Sequence, residues 1–329
     1  MAMTSTVARR VASSFAGRAF GIELNADFGV PGLLEPMNGD RLDCRGTRRI
    51  ELTLGDAASA DAGWPAGSAE RTFQLSALDG EPVFTIDHEP AVGYRVWIDG
   101  LGQCLIAPAG DRILCSPPRG RARWQLLIGQ GLPIAAALQG LEVLHASAVR
   151  MGATAAAFIA PSGTGKTSLA LHLLAHGAAF LADDVVALEA TADTLLVHPG
   201  IGLAHTPGTE RASLDRAGVD IRWPSHPGQK RHVQVSLARR PVPLGVAYFL
   251  ERTAEVEETE ILPIDPPDPC LLLAATFVSH VPVAHRLITQ LDVCSRIART
   301  VPLFRVRTPF EGGADLLADL IVQHMRDAA

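Results

Sequence analysis

The period of the hydrophobic positions changes part-way along the chain. Up to about residue 122 it is two. Arg49–Leu54 (Arg-Ile-Glu-Leu-Thr-Leu), residues 82–87 and residues 94–98 place apolar side chains at alternate positions, as a strand with one buried face requires. Asp99-Gly100 follows the last of these runs, and both residues tolerate positive φ, so a hairpin is expected there. Gly and Pro punctuate the remainder, and no amphipathic helix is predicted. Residues 1–122 read as a mostly β domain.

From Trp124 the spacing becomes helical, and a connecting helix is predicted over Trp124–Leu138. Residues 143–149 and 155–160 then read as two apolar strands around a Met151-Gly152 turn. A helix follows from Lys166 to about Ala175, with Gly177 closing its C-terminal end. Strand 179–181, the pair Asp183-Asp184 and strand 185–189 come next. Residues 199–243 are rich in Gly, Pro and His and are expected to form loops with short strands. A strand at 244–250 and helices at 270–279, 284–297 and 314–325 complete the chain. Strand–loop–helix–strand order predicts an α/β domain over residues 123–329.

Composition narrows the classes of function. The 329 residues allow more than one minimal core, and the 47% hydrophobic content is ordinary for a globular protein. No run approaches the roughly 18 apolar residues of a membrane span. Arg9, Arg10 and Arg18 flank a stretch interrupted by Ser13, Ser14 and Gly17, without the continuous apolar centre of a secretory signal; a cytoplasmic protein is expected. The formal charge is −6 with no dense Lys/Arg run, which argues against nucleic acid as a partner. Five scattered cysteines show neither zinc-site spacing nor a disulfide framework.

Candidate chemistry centres on Ala160-Pro161-Ser162-Gly163-Thr164-Gly165-Lys166-Thr167. A phosphate-binding loop needs a Gly-rich turn whose N–H groups face phosphate oxygens, a helix dipole behind it, a lysine for the β/γ-phosphates and a hydroxyl for Mg²⁺. Gly163, Gly165, Lys166 and Thr167 supply these parts, with Pro161, Ser162, Thr164 and Ser168 completing the loop. The usual first glycine is replaced by Ala160, so the tripeptide Gly-Lys-Thr is weak by itself. Its setting strengthens it: a small-residue strand feeds the loop, a good helix former follows, and a second strand ends in Asp183-Asp184. The bland alternative is a Gly-rich turn beside a surface acidic pair.

His145-Ala146-Ser147, the loop 161–167, Gly177 and Leu181-Ala182-Asp183-Asp184 together resemble the catalytic domain of HPr kinase/phosphorylase, over about residues 144–188. The resemblance implies an HPr kinase/PEP carboxykinase-like core that uses ATP and Mg²⁺ to phosphorylate a serine hydroxyl. There are two departures. Ser168 stands where the bacterial regulators carry glutamate, and no Arg-Gly-Leu-Gly signature, associated with the phosphorylase reaction and inter-subunit contacts, follows. Phe20–Leu24 (Phe-Gly-Ile-Glu-Leu) leading to Pro31-Gly32-Leu33 looks like the divergent kinases of lasso-peptide clusters, which phosphorylate a precursor peptide.

By that resemblance Asp183 is the base and Asp184 the metal-side ligand beside Thr167, while Lys166 contacts phosphate. His145 assists the acceptor or a phosphate oxygen, although a histidine in an apolar strand is ordinarily a hydrogen-bonded core residue. Lys230, Arg231 and Arg286 are candidate cations for the γ-phosphate. The expected partner is a serine-bearing peptide or protein, docked by the N-terminal β half, with no membrane and with homo-oligomerisation left open. Two rival readings stand beside it: a small-molecule kinase of the same core, and a regulatory module that binds ATP without transferring phosphate.

Overall fold

The structure, a computed structural model, describes residues 15–35, 48–65, 67–116, 124–222 and 230–327. Eight N-terminal strands build the first sheet: β1 (Phe15–Ala19), β2 (Ile22–Ala26), β3 (Arg49–Leu54), β4 (Glu70–Ser76), β5 (Pro82–Glu89), β6 (Gly93–Ile98), β7 (Gly102–Ile106) and β8 (Arg112–Ser116). Their order is β1-β2-β3-β8-β7-β6-β5-β4. The period-two runs decide the faces: Ile50 and Leu52 of β3 are buried while Arg49, Glu51 and Thr53 face out. Asp99-Gly100 makes the β6–β7 hairpin, closed by Leu101 N–H on the Ile98 carbonyl. A short helix absent from the sequence expectation, α1 (Ala57–Ala62), is capped by the Asp56 carboxylate on Ser59 N–H. Its six residues bury only Ala60, so it has no apolar stripe to read.

Helix α2 (Trp124–Leu138) forms where the spacing predicts it and packs on the first sheet. Leu132 and the run Ile134–Ala137 share a core with Ile22, Leu24, Ile50, Ile106 and Ile113, and with Val143, Val185 and Ala187 further along the chain. Hydrophobic packing is therefore continuous across residue 122. The N-terminal strands are one wall of the layer that carries the second sheet.

That second sheet comprises β9 (Glu142–Leu144), β10 (Ala146–Met151), β11 (Thr154–Ile159), β12 (Ala179–Ala182), β13 (Val186–Ala190) and β14 (Leu195–His198). The later strands β18 (Val242–Arg252), β19 (Glu260–Pro263) and β20 (Leu303–Thr308) complete it. The order is β12-β10-β11-β18-β14-β13-β9, with β20 also on β18 and β19 on β20. Strands β11, β18 and β20 are parallel. Alternate residues feed two cores. Phe158, Tyr248 and Val306 pack under α3 (Lys166–Leu174) and α7 (Ala314–Asp327). Ala157, Ile159 and Ala247 pack under α5 (Pro269–Ala274) and α6 (Ala284–Thr300). A three-stranded sheet, β15 (Leu203–Pro207), β17 (Lys230–Val235) and β16 (Ile221–Arg222), and the short helix α4 (Arg211–Arg216) occupy the stretch expected to form loops with short strands.

Two predicted elements are corrected. The strand expected over 143–149 breaks at His145, because β9 pairs with β13 whereas β10 pairs with β11 and β12. His145 N–H turns aside to the Ala275 carbonyl at 2.6 Å. Residues 143–144 and 146–149 are buried on both faces, so periodicity has nothing with which to mark the break. The helix expected over 270–279 starts at Pro269, capped by Asp268, and ends at Ala274, because Thr276 leaves it to bridge Leu144. Gly177 closes α3 as expected: at φ 84° it lets Ala178 N–H reach the Leu173 carbonyl and its own N–H reach Leu174.

Candidate active site

Strand β11 delivers the chain into the loop 160–165, and α3 starts at its end. Gly163 and Gly165 have φ of 86° and 105°, the left-handed region that side chains resist, so the two glycines make the turn possible. Pro161, Ser162 and Gly163 are exposed; Thr164 and Gly165 are half-buried. Thr164 Oγ1 donates to the Pro161 carbonyl at 2.9 Å and fixes the curl of the loop. Four α-helical N–H groups are left without intrahelical partners at such a start, and they face the loop's mouth with the positive end of the helix dipole. No acidic residue occupies the first turn of α3 to neutralise it.

Lys166 is only 4% exposed. Its Nζ donates to the carbonyls of Ala160 at 2.8 Å and Pro161 at 3.2 Å, folding the ammonium under the loop. Burial pulls its pKa down, opposed by the charges of Asp184 and Asp183. The same ammonium lies 3.2 Å from His145 Nε2, and His145 Nδ1 lies 3.1 Å from the Asp184 carbonyl. Burial first, and Lys166 second, hold the His145 pKa below the ordinary histidine value. The partners then assign the tautomer: Nε2 accepts from Lys166 and Nδ1–H donates to Asp184.

Thr167 Oγ1 donates to Asp183 Oδ1 at 2.7 Å, Ser147 Oγ donates to the same oxygen at 2.6 Å, and Oδ2 accepts His205 N–H at 3.0 Å. Three donors hold this carboxylate in one orientation. Burial nevertheless raises its pKa, and the adjacent Asp184 charge adds to the rise. Asp184 is exposed and adopts φ 61°, unusual for a residue with a side chain, with Val185 N–H bonded back to the Asp183 carbonyl at 2.7 Å. The left-handed residue ends the strand, so the two carboxylates part: one is anchored against α3 and the other faces the opening. A cavity of about 120 Å³ lies there, lined by Phe20, Phe277, Leu203 and His205 around the two aspartates.

Of the residues named from the sequence, His145, Lys166, Thr167, Asp183 and Asp184 come together. Ser168 is buried and hydrogen-bonds Glu210 behind the loop, which places it on the structural side of α3. Arg286 does not reach the site. It is 1% exposed and its guanidinium lies 3.7 Å from the buried Glu142 carboxylate, among side chains of α6 and β9. A cation in a helical segment reads the same from sequence whether it faces solvent or a buried acid. Lys230 and Arg231 lie in β17, with side chains outside the described residues. Among the described residues the four cysteines are free thiols, and no group of three or more His, Cys, Asp or Glu is placed to hold a metal alone.

Three further residues take part without a role read from the sequence. Ser147 stands in the His145-Ala146-Ser147 motif, but its contact with Asp183 depends on β10 lying beside β12. His205 contributes through its backbone, which no sequence pattern marks. Arg252 ends β18, the parallel neighbour of β11. Its Nε approaches the Thr164 carbonyl at 3.4 Å, and its Nη1 donates to Pro309 and Gly312 carbonyls at 2.8 Å each. It therefore ties the loop to the β20–α7 turn.

No family model matches the sequence, and no curated protein matches it. Among solved structures, the Hpr(Ser) kinase/phosphatase from Coxiella burnetii aligns with a TM-score of 0.29 and 13% identity, over 56% of this chain and 96% of that one. An overlap so loose carries no weight for function, which has to stand on the site itself. No described helix is long and apolar enough to cross a membrane.

Proposed function

We propose that the chain is an ATP- and Mg²⁺-dependent kinase that phosphorylates a serine hydroxyl of a peptide or protein. The observation that carries this is the contact of Thr167 Oγ1 with the anchored Asp183 carboxylate directly behind a glycine-turned loop. A plain turn has no use for a buried lysine, a helix start without acids, and a carboxylate locked onto the hydroxyl of the second helical residue.

The residues fit a magnesium–nucleotide group. Mg²⁺ at such sites keeps waters and substrate phosphates as ligands and takes few from protein. Thr167 and Asp183 would hold it. When bound, the ion neutralises charge on the phosphate oxygens. The loop N–H groups and the α3 dipole orient the phosphate chain, and Lys166 exchanges its carbonyl partners for phosphate oxygens. Neutral His145 steadies the ammonium from one side and Asp184 from the other.

The geometry favours a division of the aspartates opposite to the one the family resemblance implies. Asp183 is committed to Thr167, Ser147 and the His205 N–H, a metal-side position. Asp184 faces the opening, where it takes the proton of the acceptor hydroxyl. A cavity of about 120 Å³ is well below the roughly 300–1,000 Å³ of small-ligand pockets, so it suits one side chain rather than a whole metabolite. That favours a peptide acceptor over the metabolite-kinase alternative. The experiment is radiolabelled ATP offered in parallel to serine-bearing peptides and to metabolite pools. Label in small molecules alone defeats the peptide assignment, and no transfer to either defeats the kinase assignment in favour of a binding module.

A further inference from the structure

The loop has two flanks, and they differ in chemistry. On one side of β11, β10 and β12 bring Asp183 and Asp184; on the other, β18 and β20 end in Arg252 and in the turn to α7. A polyphosphate whose terminal group points to the aspartates leaves the loop on the β18–β20 flank. There a groove of about 820 Å³ opens between the segment after β18 and the start of α7. Its walls are Phe310, Leu316, Leu320 and Val256, and its rim carries Glu257 and Glu311.

We infer that this groove holds the nucleoside end of the bound nucleotide, an inference that rests on the phosphate-loop reading above. One guanidinium spans the distance between them. Arg252 Nη2 lies 3.6 Å from where a Cβ on Gly165 would stand, and its Nη1 is bonded to the carbonyls of Pro309 and Gly312 on the groove's near wall. The groove also shares the face of α3, since α7 packs against α3. Phe310 and Leu316 are 67% and 64% exposed, an apolar surface with nothing over it among the described residues. A flat heterocycle covers such a surface by stacking. The carboxylates repel phosphate, so the polyphosphate cannot slide into the groove. They accept from ribose hydroxyls and exocyclic amines, the donors that a nucleoside offers.

The competing crevice, of about 560 Å³, also borders the loop at Ala160 and Pro161 and is lined by His145, Leu271, Ala274 and Phe249; it lies against α5, on the opposite face of the sheet from α3. An amphipathic basic peptide is the other occupant that the acidic rim would accept.

Calorimetric titration of the full chain with MgATP and with magnesium tripolyphosphate separates these. Wild type is expected to bind MgATP more tightly than tripolyphosphate. Phe310→Ala and Leu316→Gln, both surface changes checked by unchanged melting, should each weaken MgATP about tenfold and leave tripolyphosphate unaffected. Unchanged MgATP affinity in both variants overturns the inference. So does a tenfold loss in Leu271→Gln instead, or a basic peptide that binds wild type and not Phe310→Ala while ATP affinity stays constant. If wild type binds neither ATP nor tripolyphosphate, the phosphate-loop reading itself has failed, which is a different result from loss of the nucleoside contribution alone.

Discussion

Thr167 Oγ1 and Asp183 Oδ1 meet at 2.7 Å, joining the second residue of the loop's helix to the end of a strand two positions away in the sheet. This one hydrogen bond crosses β10, which carries Ser147 to the same oxygen. The loop and the aspartate are therefore set by the sheet and not by mobile segments. Preorganisation of that kind is what phosphoryl transfer asks of a protein, since charge stabilisation and positioning supply most of its catalysis.

Nucleotide binding is the first expected outcome. MgATP at a hundredfold excess over its dissociation constant should stabilise the folded chain by about 2.7 kcal/mol. Lys166→Met should lose most of that shift, because the buried ammonium has no substitute on the loop. Thermal melting with and without millimolar MgATP measures both. A wild-type midpoint that stays fixed would falsify the loop assignment.

The aspartates are separable by their different surroundings. Asp183→Asn keeps the shape and an oxygen for Thr167 and Ser147, but it turns an NH2 onto the His205 N–H and carries no charge for the ion, so Mg²⁺ dependence should shift to higher concentrations. Asp184→Asn should retain nucleotide affinity and lower kcat by roughly 10²–10⁴-fold, the usual worth of a positioned base. Transfer rates over a Mg²⁺ titration decide between this division and its reverse. If Asp183→Asn alone abolishes kcat while its Mg²⁺ profile is unchanged, the roles must be exchanged.

Acid stability should depend on Glu189. Its carboxylate accepts from His198 Nε2 at 2.9 Å and from Arg48 at 2.9 Å, joining the first sheet to β13 and β14. The His198 hydrogen bond chiefly, with Arg48 adding to it, draws its pKa from 4.5 down to about 2. A folded-state pKa below the unfolded one gives stability that is complete above about 4.5 and lost as pH falls through about 2. Urea unfolding from pH 6 to pH 2.5 should show that loss in wild type and a flatter profile in Glu189→Gln. Parallel profiles for the two proteins would remove Glu189 from the acid response.

Arg286 is expected to matter for folding and not for phosphate. Removing it leaves Glu142 buried and unpaired at 0% exposure, a change that typically costs about 3–5 kcal/mol. Burial already raises the Glu142 pKa, with Arg286 the largest opposing influence. Arg286→Met should lower the melting temperature markedly while the protein that remains folded binds MgATP with wild-type affinity. A variant with normal melting and weakened nucleotide binding would return Arg286 to the candidate phosphate ligands.

Much of this architecture is written in local pattern. Alternation places β3, β5 and β6, helical spacing places α2, α6 and α7, and the Gly-rich run before Lys166 marks the loop. Elements held by distant partners are less legible. Strand β20 (Leu-Phe-Arg-Val-Arg-Thr) alternates too, but its arginines mask a centre buried by its place between β18 and β19 and by the core under α3 and α7. The break at His145 and the burial of Arg286 are tertiary facts: one depends on which strands accept β9 and β10, the other on a glutamate 144 positions earlier. The loop's lysine, threonine and acidic pair were visible because each is fixed by a neighbour within its own β–loop–α–β unit. Arg252 was not, since only the sheet order brings its strand end beside Thr164.

The acceptor provides the last test, and the fold decides how it must be done. Deleting the N-terminal half would tear α2, Val143 and Val185 from the core they share with Ile22 and Ile50, so the catalytic half cannot be assayed by truncation. A substitution that fills the cavity beside Asp184 in the intact chain avoids the problem. Leu203 lines that cavity from β15, on a strand that does not touch the loop or Lys166 in any described hydrogen bond. Leu203→Phe should occupy much of the roughly 120 Å³ at a stability cost of about 1–3 kcal/mol, the usual range for overpacking. Peptide KM should then rise several-fold with MgATP affinity unchanged, because the side chain entering the cavity is displaced and the nucleotide is not. Initial rates over a peptide titration, with nucleotide affinity measured separately, read the two effects apart. An unchanged peptide KM would place the serine, and with it the proton acceptor, outside the cavity that Asp184 lines.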